Sequence, residues 1–308
     1  MSSETRLVVK DNALIEASFN LSLVEQRLML LAIVEAREID KLTPETPIEV
    51  KATAYRDQYG VVGNEAYIAL KEAGKTLKRK EFTYLDKYKG DDIYSTVNWV
   101  NKISYAQNKG MIVLYMSSEV ISMISRLEAQ FTRYHLNKVS KFKSKYSIRL
   151  YELVVKWLSI GKSDIYEVNK LRSLLGVENT EYKTMSLFKV NVLDKAVKEI
   201  KDKSNHIDVS YIQLKEGRNI VGFIFKVKEK GNTNKPIDIG FKGMSMPQAV
   251  MFSDKLSRDT AFQNHYKAHV GESTEDYADR IAVLLSQEFY VKEWMQYLES
   301  VGYVPSNK

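Results

Sequence analysis

Two stretches, IEVKATAYRDQYGV (48–61) and DIYEVNKLRSLLGV (164–177), decide how this chain folds. Each opens on a short β-prone run and passes into a short helical segment. Each then stops at a glycine, Gly60 or Gly176, the residue that most readily takes the left-handed conformation closing a helix. Arg56-Asp-Gln-Tyr-Gly-Val61 and Arg172-Ser-Leu-Leu-Gly-Val177 share the pattern R-x-x-Φ-G-V. By itself that pattern is weak. Its weight comes from the elements around it, which occur in the same order twice.

Upstream of the first stretch, FNLSLVEQRLMLLAIVEARE (19–38) carries a capping-box pattern at Ser22 and Glu25, then apolar residues at helical spacing. Downstream, NEAYIALKEAGKTLKRKEFTY (64–84) predicts a third helix. IYSTVNWVNKISYA (93–106) and GMIVLYMS (110–117) predict a hairpin across QNKG, and SEVISMISRLEAQ (118–130) a closing helix. The second stretch is framed alike. KSKYSIRLYELVVKWLSIG (143–161) predicts a helix before it, EYKTMSLFKVNVLDKAVKEIKDKS (181–204) a helix after it, and HIDVSYIQLKEGRNIVGFIFKVKEK (206–230) two strands around a KEGR turn. Helix, strand, helix, helix and hairpin is the order of a winged helix. The alternative is two unrelated α+β units sharing an element order by chance. The expected fold is therefore α+β: two tandem winged-helix domains, 1–130 and 131–235, with a small helical C-terminal extension over 236–308. NTNKPIDIG (232–240) reads as the linker.

The charge is unevenly spread. The 308 residues carry 46 Lys+Arg against 39 Asp+Glu, a net of +7. Residues 1–130 are near neutral, with 17 basic against 18 acidic side chains, and residues 236–308 are acidic, with 7 against 10. Residues 131–235 hold 22 against 11. A basic excess confined to one winged helix points to a polyanion, and a helix about 10–12 Å across fits the major groove of DNA. The helix after Gly176 offers Lys183, Thr184, Ser186, Lys189, Asn191 and Lys195 away from its apolar face. Of these Lys183, Ser186, Lys189 and Asn191 are placed to read bases, and Lys195 with Lys198 to meet backbone or solvent. The wing tip adds Lys215, Gly217 and Arg218, for phosphate or minor groove. Lys143, Lys145 and Arg149, in the acid-free run from Arg133, are further DNA candidates. The first copy supplies only Lys78, Arg79 and Lys80 after Lys75, enough for weak backbone contact or a protein partner instead.

KSKYSIRLYELVVKW, LRSLLGV, LFKVNVLDKAVKEI and the strands closing in FIFKV resemble the second winged helix of iteron-binding plasmid replication initiators, the RepB, RepE and RepA type. KDNALIEASFNLSLVEQRLMLLAI resembles the start of their first. The likeness spans roughly residues 5–230. It implies monomers that bind directly repeated iterons at an origin, and dimers, joined mainly through the first domain, that repress the initiator's own promoter at an inverted-repeat operator. It also implies help in opening the origin and recruitment of host initiator and helicase. Family members often follow the helix's Phe with several Arg or Lys; here Phe188 precedes Lys189, Val190 and Asn191, so the DNA sequence read should differ. A winged-helix transcriptional regulator with no replication role is the second reading, and a protein-interaction scaffold the third.

Enzymatic rivals fare poorly. ALKEAGKT (69–76) nearly matches a P-loop, but it has Ala69 at the first glycine and lies among helix formers. His265 and His269 have an i, i+4 spacing but no third ligand nearby, so a surface pair is expected. No H-x-H pair or G-x-S-x-G occurs, and Asp91 with Asp92 reads as a turn. The chain has no Cys, which excludes Cys-bound zinc, iron–sulfur and thiol chemistry and fits a reducing cytoplasm. No cofactor, metal, catalytic group or membrane span is expected. PQAVMFSDKLS (247–257), TEDYADRIAVLLSQE (274–288) and YVKEWMQYLESVG (290–302) predict amphipathic helices, a packed appendage or a dock for host proteins.

Overall fold

The computed structural model describes residues 6–62, 64–125, 131–230, 244, 246–268, 273–285 and 288–303. It divides into two compact units, residues 1–231 and 232–308. The first unit opens with β1 (Leu7–Asp11) and a single helical turn, α1 (Asn12–Ile15). α2 (Leu23–Arg37) follows, and its N-terminus is closed as the sequence predicts. Glu25 N donates to Ser22 Oγ at 3.2 Å and Ser22 N donates to Glu25 Oε2 at 2.6 Å, satisfying two otherwise orphaned amides. β2 (Ile48–Lys51) leads into α3 (Ala52–Tyr59), which stops at Gly60 with φ of 67°. α4 (Glu65–Leu77) is the next helix.

A long hairpin then intervenes, β3 (Glu81–Tyr88) against β4 (Asp91–Asn98), before β5 (Val100–Ala106) and β6 (Met111–Met116). β2, β6 and β5 form one antiparallel sheet in that spatial order. α5 (Ser118–Ser122) and β7 (Phe131–His135) complete the first copy. In the second copy, α6 (Lys145–Val155) precedes β8 (Tyr166–Glu167) and α7 (Val168–Leu174). The long helix after it runs as α8 (Met185–Phe188), a π turn over Lys189–Leu193 and α9 (Asp194–Lys203). β9 (Ile207–Glu216) and β10 (Asn219–Glu229) form the wing, and the sheet order β8-β10-β9 repeats β2-β6-β5 strand for strand.

Four sequence expectations are corrected. α4 ends at Leu77, and Glu81–Tyr84 belong to β3, because Phe82 and Tyr84 pack with Trp99 and Phe82 respectively as β-strand residues, not as another helical turn. The run 93–106 is two strands of different sheets that meet at Trp99, which is 1% exposed and forms the corner. The helix expected over 118–130 is only five residues long as far as Ser122, and residues 126–130 lie outside those described. Phe131–His135, placed with the second domain, pairs antiparallel with Leu7–Asp11, so this strand closes the first copy's N-terminus. The expected linker, 232–240, also falls outside the described residues.

The two copies share one continuous apolar core, from Val8 and Leu14 through Leu150 and Leu171 to Phe225. At their junction lies a buried ionic cluster. Lys10 Nζ and Arg149 Nη1 donate to the Glu152 carboxylate at 2.6 and 2.9 Å, and Tyr134 Oη donates to it at 2.7 Å. The remaining Arg149 donors reach the carbonyls of Ile15, Ala17 and Leu174, at 2.9, 2.9 and 3.0 Å. Burial raises the carboxyl's affinity for a proton, but Lys10 and Arg149 outweigh it and hold Glu152 below the usual carboxylate range. Burial pushes Lys10 down, with Glu152 opposing.

The C-terminal unit has its own core. α10 (Met246–Arg258), α11 (Thr260–His265), α12 (Thr274–Leu285), α13 (Glu288–Glu293) and α14 (Met295–Ser300) bury Phe252, Leu256, Phe262, Ile281, Trp294 and Leu298 together. α11, for which no periodic stretch of the sequence gives a signal, is started by the N-cap Asp259, which accepts from Phe262 N at 2.7 Å. Among the described residues no helix is long and apolar enough to cross a membrane.

Candidate nucleic-acid interface

The second copy's helix-turn-helix is fixed by Arg172. From α7 its guanidinium donates to the carbonyls of Tyr182, Glu181 and Glu178, at 3.0, 2.6 and 3.3 Å, and it stacks over the Phe188 ring at 5.0 Å. Three backbone acceptors from one planar fork hold the connection in a single shape. That shape contains a strained residue: Tyr182 has φ of 42°, a left-handed conformation few side-chain-bearing residues adopt. On its other side Tyr182 meets the ring of Tyr146, at 6.3 Å between centroids.

The helix then starts at Thr184, whose hydroxyl accepts from Leu187 N at 3.3 Å. Phe188, Val192, Leu193, Ala196 and Ile200 are buried against the core. Asp194 N donates to Lys189 O, five residues back, which makes the middle of the helix a π turn. Such turns carry one extra residue and recur at functional sites. Glu199, further along, accepts from the backbone amides of Lys143 and Ser144 at 2.9 and 3.1 Å and pairs with Lys203. It ties this helix to the start of α6, and these partners overcome its burial to keep its carboxyl below the ordinary range.

The expected interface residues fall into groups. Ser186 and Lys195 are exposed on the helix, Lys189 is half-buried beside them, and Lys183 is exposed in the connection just before the cap. Asn191 is engaged within its own helix, donating to Leu187 O and accepting from Lys195 Nζ, both at 3.1 Å. Thr184 serves as the cap. Lys215 and Arg218 are both exposed at the wing tip, on either side of Gly217 with φ of 60°. Lys143 and Lys145 line an open groove with Lys80, Asn20 and Thr76, so basic residues of both copies share one concavity. Lys145 Nζ donates there to Asn20 Oδ1 at 2.7 Å. Lys78 and Arg79 are exposed in the turn after α4.

Arg149 is a correction. At 1% exposure, with its donors satisfied inside the junction, it cannot meet DNA. Its place in a dense basic run masked this, since its acceptors at Ile15 and Ala17 lie more than 130 residues away. Sequence reasoning also gave no role to the Arg172 side chain, and none to Leu187 and Val190, which are 49% and 54% exposed on the same helix.

The rival chemistries find no support in the geometry. ALKEAGKT lies inside α4, and a Cβ on Gly74 would meet the Tyr105 ring at 3.3 Å, so this glycine seats the wing instead of cradling phosphate. Asp92, in β4, pairs with Lys87 across the hairpin. His265 Nδ1 lies 3.2 Å from Ala261 O, and His269 is outside the described residues. Among the described residues no three His, Asp or Glu side chains are grouped to hold a metal.

Two family profiles match. "Initiator Replication protein, WH1" covers residues 7–155 and "Initiator Rep protein, WH2" residues 167–227. The chain is 28% identical over 244 residues to the PI protein of Escherichia coli, covering 68% of this chain and 79% of that one. It is 23% identical over 231 residues to a replication initiation protein of Escherichia coli, covering 72% and 69%. Among solved structures, the Pi initiator protein in complex with iteron DNA shares the fold, with a TM-score of 0.61 and 23% identity over 74% of this chain and 99% of that one. The duplicated sheet order and helix-turn-helix thus have their explanation: the chain belongs to the Rep3 family of replication initiators, built of WH1 and WH2 winged-helix domains.

Proposed function

We propose that this chain starts plasmid replication by binding directly repeated iterons as a monomer, reading them with the Met185–Lys203 helix and gripping the backbone with the wing. The observation that carries this reading is the face opposite that helix's buried side, where Ser186 and Lys189 stand beyond Lys183 and a connection held by Arg172. A positioned cationic helix is what base readout between phosphate contacts requires. The solved complex of the Pi initiator with iteron DNA supports it by family membership. In this reading the chain also helps open the origin and recruits host initiator and helicase. As a dimer associated through the first copy it represses its own promoter.

The test is binding of the full chain to an origin fragment with short direct repeats. With ~6–10 phosphate contacts, raising salt from about 50 to about 200 mM lowers affinity ~10³–10⁵-fold. A plasmid bearing only that origin, with the protein supplied in trans, then replicates. Repeat binding without replication would make the chain a transcriptional regulator, and salt-independent binding would remove DNA from the account.

A further inference from the structure

The Met185–Lys203 helix carries two large apolar side chains on its solvent side. Leu187 is 49% exposed and Val190 54% exposed, while Phe188, Val192 and Leu193 between and beyond them are fully buried. A single exposed Leu on a protein surface needs no explanation. Two within the first two turns of the capped helix, three residues apart and among Lys183, Ser186, Lys189 and Lys195, are a different matter. The lysines repel a basic partner, are costly to desolvate against an apolar one, and fit a phosphate-lined groove. The polar alternatives on this face are reduced, because the Asn191 amide is spent on Leu187 O and Lys195. In the major groove the one apolar group that marks a base is the C5-methyl of thymine.

We propose that Leu187 and Val190 read thymine methyl groups, making this initiator's repeat thymine-bearing at the positions beneath them. The inference rests on the DNA-binding reading above. The π turn that begins at Lys189 contributes, since Val190 lies on the widened stretch while the buried residues keep their places in the core. Lys183 before the apolar pair and Lys189 between its members then supply the hydrogen bonds and phosphate contacts that set its register.

The experiment uses full-length protein and duplexes enriched from a random pool by the wild-type chain. Each thymine of the enriched site is replaced in turn by deoxyuridine, which removes the methyl and nothing else. Burying one methyl is worth roughly fourfold in affinity, so one or two positions should each lose about that factor. Leu187→Ala and Val190→Ala should bind thymine and uracil equally at one of those positions each, with affinity for random duplex unchanged. Val190→Ile should keep the discrimination, which guards against a fold defect. A site enriched but insensitive to uracil, or equally sensitive in wild type and both Ala variants, overturns the thymine reading and leaves DNA binding intact. A pool that yields no enriched site overturns both.

Discussion

The turns at Arg56–Val61 and Arg172–Val177 share a left-handed glycine and the bond that closes on the arginine carbonyl, and differ in what their side chains do. Gly60 and Gly176 have φ of 67° and 68°, and Val61 N and Val177 N donate to the carbonyls of Arg56 and Arg172 at 3.3 and 2.9 Å. Yet Arg56 pairs with its neighbour Asp57, both about half exposed or more, whereas Arg172 holds three carbonyls and the Phe188 ring. A Cβ on Gly60 would meet nothing within 4 Å, while one on Gly176 would stand 2.4 Å from Phe19 O. The helix that follows is capped by Thr184 in the second copy. In the first, Asn64 makes no side-chain cap, and the exposed positions of the helix's first two turns, Glu65 and Ile68, are acidic and apolar, with Lys75 exposed only near its end. The fold recurs in both copies, but the Arg172 grip on the connection and the Thr184 cap occur only in the second.

The largest effect is expected at the junction between the copies. Glu152→Gln leaves Lys10 and Arg149 buried without their counter-charge, and the loss should be ~3–5 kcal/mol in urea unfolding. The same carboxylate sets an acid limit. Its proton affinity is lower folded than unfolded, so its stabilisation is complete above the unfolded value of about 4.3 and fades as pH falls through the folded one. Glu199 adds in the same direction. The variant should therefore show a shallower loss of stability below about pH 4; an unchanged acid limb would place the dependence elsewhere.

The glycines give a smaller and cleaner contrast. Gly60→Ala should cost only the left-handed penalty, ~1–2 kcal/mol. Gly176→Ala carries that penalty and a backbone clash besides, and should cost at least ~2 kcal/mol more. Equal losses in thermal unfolding would mean that Phe19 and the second turn separate without cost.

Smaller still is the contrast between the arginines. Arg172→Lys removes a forked donor from three carbonyls and should cost ~1.5–3 kcal/mol, together with specific DNA affinity. Arg56→Lys changes an exposed pair and should stay within ~0.5 kcal/mol.

These same residues show what the sequence could and could not disclose. The glycine stops, the Ser22–Glu25 capping box and the Met185–Lys203 helix are local, and local chemistry is written in spacing. The pairing of Leu7–Asp11 with Phe131–His135 joins two five-residue strands across more than a hundred residues, with no turn signal between them. The β3–β4 hairpin was hidden because Ile93–Asn98 runs straight into Val100–Ala106 with only Trp99 marking the change of sheet. Arg149 looked like its basic neighbours because burial is decided by partners from the other copy. Arg172 was visible as half of a repeat, but its grip on Tyr182 depends on a left-handed backbone that spacing does not reveal.

In the proposed reading, specificity lives in the second copy's helix and the first copy contributes backbone contact at most. The direct measurement is the ratio of affinities for an enriched site and for random duplex, at one salt concentration, for two full-length variants. Lys183→Glu with Lys189→Glu should collapse that ratio towards one. Lys78→Glu with Arg79→Glu should lower both affinities alike and leave the ratio standing. The opposite pattern, with discrimination surviving the first pair and lost with the second, would contradict the account.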